Sequence, residues 1–338
     1  MPEFSVIIPV RDEAATLGAC LEALEHQTVA RSRFEIVVVD DGSTDGSVRV
    51  ARDARPDRLI RLSGEGAAAA RNRGFEAATA PVLLFLDADC VPDADWIERM
   101  LAPLAEPEIG GSVGRFVSNQ TGWVSRMIQL ELDLRYARMD RFRDIDFVNT
   151  ATCAFRRDVL PRPPFDETFG KLEDLELSFR LAGQGVRMRY VADAVVHHRH
   201  PHSLLSYVRR RFQYGRYSAL LYRRYSSKIV ADSSTPPTRR LQLVFLGLAA
   251  PALLLKWWAG LLLLALSLLC SASTVSAALG RSVGLALASP LFVLSGNVAF
   301  VSGSLWGLVG SLRHRKPDSK DRREALEDPE PPHDITLA

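Results

Sequence analysis

Two aspartates, Asp87 and Asp89, directly follow an apolar run at residues 82–86. The run begins after Pro81 and predicts a strand buried on both faces, as in a parallel sheet. Ligands of open α/β sheets bind beyond the carboxyl ends of the strands, and alternation along an extended chain puts both side chains on one side. Two carboxylates so close repel each other unless a cation or hydrogen-bond donors lie between them. Their oxygens suit magnesium, manganese or calcium. The alternative is a loop whose acids face water or cap the next helix.

Two further acidic pairs stand at the ends of predicted elements. Asp40 and Asp41 follow a second apolar strand, and their alternative role is a turn before a helix cap. Glu173 and Asp174 begin a predicted helix at 173–182 that stops before a glycine. The helix dipole favours a charge on Asp174, whereas the adjacent Glu173 raises its pKa. The alternative for this pair is an N-terminal helix cap.

Alternating strands and helices predict the fold of the first two thirds of the chain. Strands at 4–10, 34–39, 58–62 and 82–86 are separated by helix-like segments, which predicts an α/β fold with a mostly parallel, nucleotide-binding sheet. The helix at 64–80 begins from glycines, so its N-terminus is open to an anion. Further elements are predicted as helices at 96–107, 122–143 and 203–225 and as strands at 110–117, 147–155 and 186–196.

The composition argues against nucleic-acid binding and indicates a reducing cellular compartment. The chain has 42 Lys+Arg against 40 Asp+Glu, a net charge of +2, so it is no obvious nucleic-acid binder. Its 4 cysteines have no spacing typical of zinc or of a disulfide framework, which suits a reducing compartment. The first residues lead straight into a strand pattern, so we expect no secretory signal peptide.

Residues 241–312 are almost free of charge and predict membrane helices. A span needs about 20 apolar residues; the stretches at 259–279 and 283–312 are long enough. The stretch at 241–255 is short and contains Pro251, so it fits a re-entrant, interfacial or short span. Both flanks are basic, which predicts two cytoplasmic ends and therefore an even number of spans, two by preference over three. A soluble apolar core is the alternative.

These patterns divide the chain into four parts. They are a catalytic α/β domain at 1–230, a linker at 231–240, transmembrane helices at 241–312 and a disordered cytoplasmic tail at 313–338.

Five short motifs in one order resemble the family 2 glycosyltransferases, which have the GT-A fold. The resemblance covers roughly residues 4–230. The motifs are Ser5-Val-Ile-Ile-Pro9 with Asp12-Glu13; Asp40-Asp41-Gly-Ser-Thr-Asp45; Ala70-Arg71-Asn72-Arg73-Gly74; Asp87-Ala-Asp89; and Glu173-Asp174-Leu-Glu-Leu177 with Arg180. Each motif alone is weak, and their order makes the signal specific.

The resemblance implies how a nucleotide-sugar is held. In the family, acids after the first two strands bind the base and ribose, and these positions look like Glu13 and Asp40, with Asp41 beside it. Arg71 looks like the basic residue near the diphosphate, and its alternative is an exposed helix arginine. The implied nucleotide-sugar site consists of Pro9, Glu13, Asp40, Asp41, Arg71, Asp87 and Ala88. The donor is a UDP- or GDP-linked sugar.

The resemblance also implies a metal and a base. Asp89 looks like the ligand of Mg or Mn, assisted by Asp87, and the metal bridges the donor diphosphate. His198 is the closest match to the family's histidine ligand, with His197 and His200 as rivals; an accidental surface run of histidines is the alternative. Asp174, with Glu173 beside it, looks like the base of an inverting displacement at the anomeric carbon.

One departure from the family bears on the acceptor. Processive relatives carry Gln-x-x-Arg-Trp before the membrane, whereas residues 208–215 lack the glutamine and the tryptophan. The chain therefore looks like members that add one sugar to a lipid-linked or cell-envelope acceptor. The arginines of 209–224 would lie near the anionic cytoplasmic leaflet or a lipid phosphate, and a stop-transfer flank explains them equally well.

The sequence thus predicts a metal-dependent glycosyltransferase. It is expected to be a multi-pass protein of the plasma membrane, with its catalytic domain in the cytoplasm. One alternative is a haloacid-dehalogenase-type phosphatase, which also uses Asp-x-Asp after a strand; the scarcity of lysine before residue 230 argues against it. The other is an inactive nucleotide-sugar-binding scaffold of a membrane complex.

Overall fold

The protein is built on one eight-stranded sheet, followed by apolar helices. The computed structural model describes residues 1–229 and 232–313. The strand order is β3-β2-β1-β4-β7-β6-β8-β5. The strands are β1 Phe4–Val10, β2 Phe34–Asp40, β3 Arg58–Arg61, β4 Val82–Leu86, β5 Cys90–Pro92, β6 Ile109–Val117, β7 Thr152–Arg156 and β8 Arg187–His198.

The first half of the sheet is parallel, as the sequence predicts. β1 pairs in parallel with β2 and with β4, and β2 pairs in parallel with β3. Because parallel strands end at the same edge, the residues after β1, β2 and β4 meet there. Every residue of β2 is buried, which explains the apolar run at residues 36–39 in its sequence.

The second half of the sheet is mixed, so the sheet is mostly but not wholly parallel. β7 is antiparallel to β4 and β6, β6 is parallel to β8, and β5 is antiparallel to β8. The three-residue β5 was not among the predicted strands. Its pairing places Cys90 opposite His198, and this brings the residue before Cys90 to the end of β8.

The helices of the first two thirds cover both faces of the sheet, and each face has its own buried apolar cluster. This layered architecture is the GT-A-like α/β fold. These helices are α1 Leu17–Glu25, α2 Ser47–Ala54, α3 Ala67–Ala77, α4 Trp96–Leu101, α5 Trp123–Met139 and α6 Glu173–Gly183. Helix α7, Leu204–Arg224, contributes to two other apolar clusters instead. Short 3₁₀ turns lie at Arg31–Arg33, Ala102–Ala105, Arg157–Val159 and Ser226–Ile229.

The apolar region forms four helices: α8 Pro237–Leu255, α9 Trp257–Leu269, α10 Ala272–Leu279 and α11 Val283–Arg313. By length and composition, two of them could cross a membrane, α8 and the part of α11 at Val283–Gly310. α9 and α10 pass the same test only together, and they are bent by 41° at their break.

The structure differs from the prediction for the first two apolar stretches. The first was predicted to be too short for a full span, but its helix begins at Pro237, inside the predicted linker, continues through Pro251 and is long enough to cross a membrane. The second is broken after Leu269, where the Ser271 hydroxyl donates to the Leu268 carbonyl at 2.5 Å. The predicted disordered tail beyond residue 313 lies outside the described residues.

Helix α7 joins the sheet domain to α11 through closely packed glycines, which we call the glycine seam (Gly215, Gly296, Gly303 and Gly307). A Cβ at Gly303 would collide with the Phe212 carbonyl of α7, and one at Gly215 with the Phe300 carbonyl of α11. Small residues let two helix backbones approach this closely. The Tyr207 and Phe292 rings stack at 4.1 Å beside the seam.

Replacing Gly303 by alanine should separate α7 from α11 and destabilise the protein. Overpacking of this kind costs about 1–3 kcal/mol, so we expect a lower melting temperature in detergent. Gly310→Ala is the matched control, because no described residue lies within 4 Å of its added Cβ. In the same helix, that change should be neutral or stabilising. Equal melting temperatures for the two variants would contradict the close packing.

Candidate active site

A cavity of about 910 Å³ opens at the carboxyl edge of the parallel strands and extends to the apolar helices. Most of the predicted site residues line it. They are Pro9, Glu13, Asp41, Arg71, Asp87, Ala88, Asp89, Glu173 and Asp174. Elements from the whole first half of the chain thus supply one site, as the parallel topology requires.

Arg71 of α3 lies at the centre of the acidic cluster. Its Nη1 donates to Glu173 Oε1 at 2.7 Å, and its Nη2 donates to Asp87 Oδ1 at 2.7 Å. The residue is 5% exposed, so it is not the surface arginine of the alternative interpretation. Its predicted contact with a diphosphate remains a prediction, because the guanidinium is already engaged by two carboxylates. The structure shows it as the residue that holds β4 and α6 together.

Among the carboxyl groups of this cluster, Asp174 has the most strongly shifted pKa. Burial and the adjacent charge of Glu173 raise the pKa of Asp174 to about 7, although Arg71 acts in the opposite direction. Its Oδ1 accepts a hydrogen bond from the Leu175 amide at 2.8 Å. A carboxyl group with a pKa near neutrality can exchange a proton at physiological pH.

The two aspartates after β2 differ in position. Asp40 is fully buried and does not line the cavity; its carboxylate accepts from the Ser43 amide at 3.3 Å and lies 3.7 Å from Arg61 Nε. Asp41 lines the cavity and accepts from the Glu65 amide at 2.6 Å and the Gly66 amide at 2.9 Å. Of the predicted pair, Asp41 therefore lines the cavity and Asp40 does not. The nucleotide-binding role of Asp40 remains a prediction.

Glu13, after β1, faces the acidic end of the cavity. Burial raises the pKa of Glu13, against a 2.9 Å hydrogen bond from Thr16, and the charges of Asp89, Asp45 and Asp87 add to the increase. The group is thus close to the pair after β4 and can act as an acceptor or, when protonated, as a donor.

Asp89 meets His198 because β5 pairs with β8. His198 Nε2 lies 3.1 Å from Asp89 Oδ2, and the two side chains are 9% and 28% exposed. Burial opposes ionisation of Asp89, but the hydrogen bond and charge of His198 keep the pKa of this carboxyl below its ordinary value. Of the rivals, His197 points elsewhere, with its Nε2 2.9 Å from Asp93 Oδ1.

The other rival, His200, contacts the ring nitrogen of His198 that faces away from Asp89. Gln129 Nε2 donates to the Phe116 carbonyl at 3.1 Å, so the other amide atom, Oε1, accepts a hydrogen bond from His200 Nε2 at 2.8 Å. His200 Nδ1 then accepts from His198 Nδ1 at 3.0 Å. This assignment follows from the hydrogen-bond network. With Nδ1 engaged by His200, Nε2 is the ring nitrogen of His198 that faces Asp89.

The donor set fits a divalent ion that is completed by a substrate. Within the described residues, no group of three or more His, Cys, Asp and Glu side chains forms a metal site by itself. Asp89 and His198 supply two adjacent donors, and Asp87 lines the same cavity. Magnesium is commonly held by one or two carboxylates plus substrate phosphates.

Sequence reasoning missed Gln129 and Arg210 as contributors to the site. Gln129 carries no motif, and only the fold brings α5 to the end of β8. Arg210 of α7 lines the cavity, and its charge acts on Asp89 and Asp87. A signal for Arg210 was present in the sequence, since it lies in the region where processive relatives carry their arginine motif.

The sequence comparisons agree with this architecture. Residues 5–162 match the family model of glycosyl transferase family 2. Over these residues, the chain belongs to glycosyl transferase family 2. The matched segment includes β1 to β7 and Asp87 and Asp89, but not α6, β8 or the apolar helices.

Two curated relatives resemble the family 2 domain. Glycosyltransferase AglE of Haloferax volcanii is 39% identical over 121 residues, which is 33% of this chain and 40% of the relative. The pre-mycofactocin glycosyltransferase of Mycobacterium tuberculosis is 30% identical over 239 residues, 67% of this chain and 49% of the relative. The chain thus spans less than half the length of each of these two relatives.

A solved structure shares the fold over almost the whole chain. A mannosyltransferase from Pyrobaculum calidifontis, solved with GDP-Man and Mn²⁺, superposes with a TM-score of 0.61 at 23% identity. The likeness covers 91% of this chain and 87% of that one. It confirms the predicted GT-A fold for the family 2 domain.

Removing the Arg71 charge should destabilise the protein strongly. Arg71→Met leaves Glu173 and Asp87 unpaired, and breaking a buried pair costs about 3–5 kcal/mol. We expect a clear fall in melting temperature. Arg73→Met is the control on the same helix, because Arg73 is 46% exposed and, among the residues that the structure describes, has its one ion pair with Glu76. That surface pair is worth about 1 kcal/mol or less. Similar melting temperatures for the two variants would show that Arg71 does not hold the cluster together.

Proposed function

We propose that the protein transfers a sugar from a nucleotide-diphosphate sugar to a hydroxyl of a lipid-linked or cell-envelope acceptor, with inversion at the anomeric carbon. The single observation that carries the proposal is the raised pKa of Asp174 in the cavity that Asp41, Asp87 and Asp89 also line. The proposed base and the polar residues proposed to bind the nucleotide-sugar thus line one cavity. Membership of family 2 supports the reaction class.

The acids at the ends of the strands would hold the nucleotide. Glu13 and Asp41 provide acceptors for a base N–H and for ribose hydroxyls. The donor is UDP- or GDP-linked; the fold neighbour crystallised with GDP-Man makes the guanosine nucleotide the first to test. Arg210 would lie beside the diphosphate, since its charge already acts on Asp87 and Asp89.

Asp89 and His198 would hold a divalent ion, Mg or Mn, with Asp87 nearby. When bound, the ion supplies positive charge that stabilises the leaving diphosphate. The hydrogen-bond chain from Gln129 through His200 orients the His198 ring so that Nε2 faces that side.

Asp174 would act as the general base. Its carboxylate takes the proton of the acceptor hydroxyl while the hydroxyl oxygen forms the bond to the anomeric carbon. The bond from that carbon to the diphosphate oxygen breaks on the opposite face, and its electron pair leaves with the nucleoside diphosphate. Arg71 holds Glu173 in place beside Asp174 through a 2.7 Å ion pair.

The cytoplasmic face of the plasma membrane is the proposed location. Two helices could cross a membrane, and exposed apolar residues such as Leu254, at 89%, and Trp257, at 68%, cover the C-terminal helices. With α8 and α11 as the spans, the basic Arg239 and Arg240 lie at the start of α8 on the side of the catalytic domain.

Asp174→Asn should abolish turnover and leave donor binding intact. Loss of a general base lowers kcat by about 10²–10⁴-fold. Thermal shift of the detergent-solubilised protein with UDP or GDP and Mn²⁺ reports donor binding separately. In the wild type, kcat should fall about tenfold per pH unit below pH 7, because the base must be ionised.

Two results would overturn this assignment. Turnover by Asp174→Asn with the donor still bound would show that another group is the base. Nucleotide binding by the wild type without turnover of any acceptor, at any pH, would favour the inactive scaffold.

His200→Phe should weaken metal binding without removing a ligand. The change deprives His198 Nδ1 of its acceptor, and loss of such a supporting hydrogen bond typically costs 10–100-fold in metal affinity. Electron paramagnetic resonance of free Mn²⁺, at a fixed nucleotide concentration, measures this. His197→Phe is the control, since His197 contacts Asp93 on the other side of β8. Equal Mn²⁺ affinity for the two variants would show that the chain through Gln129 has no role.

A further inference from the structure

The cavity has a second end, lined by arginines, away from the acidic cluster. Four arginines line it: Arg135 and Arg138 from α5, Arg211 from α7 and Arg239 from α8. The acidic cluster of the proposed donor site belongs to β1, β2, β4 and α6 instead. We call this second end the arginine end.

The arginine end has a large excess of positive charge. Glu131 is the carboxylate from α5 that lines it, and this group is already engaged by Arg239 at 3.1 Å and by the Tyr207 hydroxyl at 3.3 Å. Over residues 1–229 and 232–313, no carboxylate lies within 4.0 Å of the guanidinium groups of Arg135, Arg138 or Arg211. Arginines are strongly basic, so these charges persist and need an anion.

Three donor atoms here are buried without an acceptor. Arg138 Nε, Arg211 Nε and Arg239 Nη2 make no hydrogen bond within the described part of the chain. Burial, together with the charges of Arg239 and Arg135, lowers the pKa of Arg211. Buried donors without partners are costly and uncommon in folded proteins. These unpaired donors add to the unneutralised positive charge of the arginine end.

The walls next to these arginines are apolar. Leu243 of α8 and Val293 and Phe300 of α11 line the same cavity, and the Arg211 guanidinium lies 5.1 Å from the centre of the Phe300 ring. Both helices are long and apolar enough to cross a membrane. The arginine end is therefore the boundary between a polar site and the helices that could face lipid. A ligand that fits it has an anionic head and an apolar chain.

We propose that the arginine end binds a phosphate or diphosphate group that links the acceptor's head to an apolar chain. Guanidinium groups match phosphate oxygens with paired hydrogen bonds, and a cluster with three unmatched positive charges suits a group of about two negative charges. This inference rests on the proposed function and specifies the class of its acceptor. The phosphate is the recognition group at one end of the cavity, and Asp174 lies at the other.

Binding of farnesyl phosphate to the full chain, in a detergent without phosphate, tests the proposal without any sugar transfer. Pyrophosphate and farnesol separate the two halves of the ligand. We expect farnesyl phosphate to bind at least about tenfold more tightly than either, because it alone offers both contacts. Arg211→Gln should weaken its binding about tenfold or more, as expected for a charge-assisted hydrogen bond.

Arg223→Gln is the matched control, because Arg223 is an exposed arginine of the same helix and does not line the cavity. Its affinity for farnesyl phosphate should equal that of the wild type. Arg211→Lys, which retains the charge, should restore part of the affinity. The thermal shift of Arg211→Gln with nucleotide and Mn²⁺ should match the wild type, which shows that the variant is folded.

Two outcomes overturn the inference. Farnesol binding as tightly as farnesyl phosphate would show an apolar groove without an anion site. Pyrophosphate binding as tightly, with the same dependence on Arg211, would show a site for free phosphate rather than for a lipid head. Arg211-dependent binding of farnesyl phosphate in a protein that binds no nucleotide would support this inference while refuting the proposed donor site.

Discussion

The buried ion pairs of Arg71 are the interaction on which the site depends. One guanidinium connects Asp87, at the end of β4, to Glu173, at the start of α6. Without it, three carboxylates (Asp87, Glu173 and Asp174) would repel one another in a partly desolvated cavity. Arg71 therefore stabilises the fold and also sets the charge balance in which the pKa of Asp174 is raised to about 7.

The remaining geometry follows from two kinds of strand pairing. Parallel pairing of β1, β2 and β4 brings Glu13, Asp41 and Asp87 to one edge. Antiparallel pairing of the short β5 with β8 adds His198 to Asp89. The acidic and histidine halves of the site thus come from the two different halves of a mixed sheet.

Local sequence patterns were sufficient to predict the acidic residues of the site and the strands that position them. An apolar strand that stops in a carboxylate predicts both the burial of the strand and the position of the acid. Those patterns could not distinguish Asp40 from Asp41, because the strand's alternation ends in the turn at Gly42, whose φ is +72°. Nor could they show that Arg71 pairs with Glu173, which is 102 residues away.

The apolar region shows the same limit. Composition predicted helices that could span a membrane, and it could not locate the break after Leu269, where the Ser271 hydroxyl donates to the Leu268 carbonyl. The buried tie between Gln242 and Ser267 that joins α8 to α9 is equally invisible to a hydropathy pattern. Most of the structural features that the sequence did not predict depend on contacts between secondary-structure elements rather than within them.

The glycine seam has a mechanical consequence. Helix α7 carries Arg210 and Arg211, and its backbone rests directly on that of α11. Because the two backbones touch at several points along their length, α7 cannot rotate or slide on α11 without breaking close contacts. The packing of α7 on α11 therefore fixes the distance between the cavity and the apolar helices, whatever the length of the connection between α7 and α8. For the acceptor proposed above, this packing would also fix the distance between the reacting hydroxyl and the apolar chain.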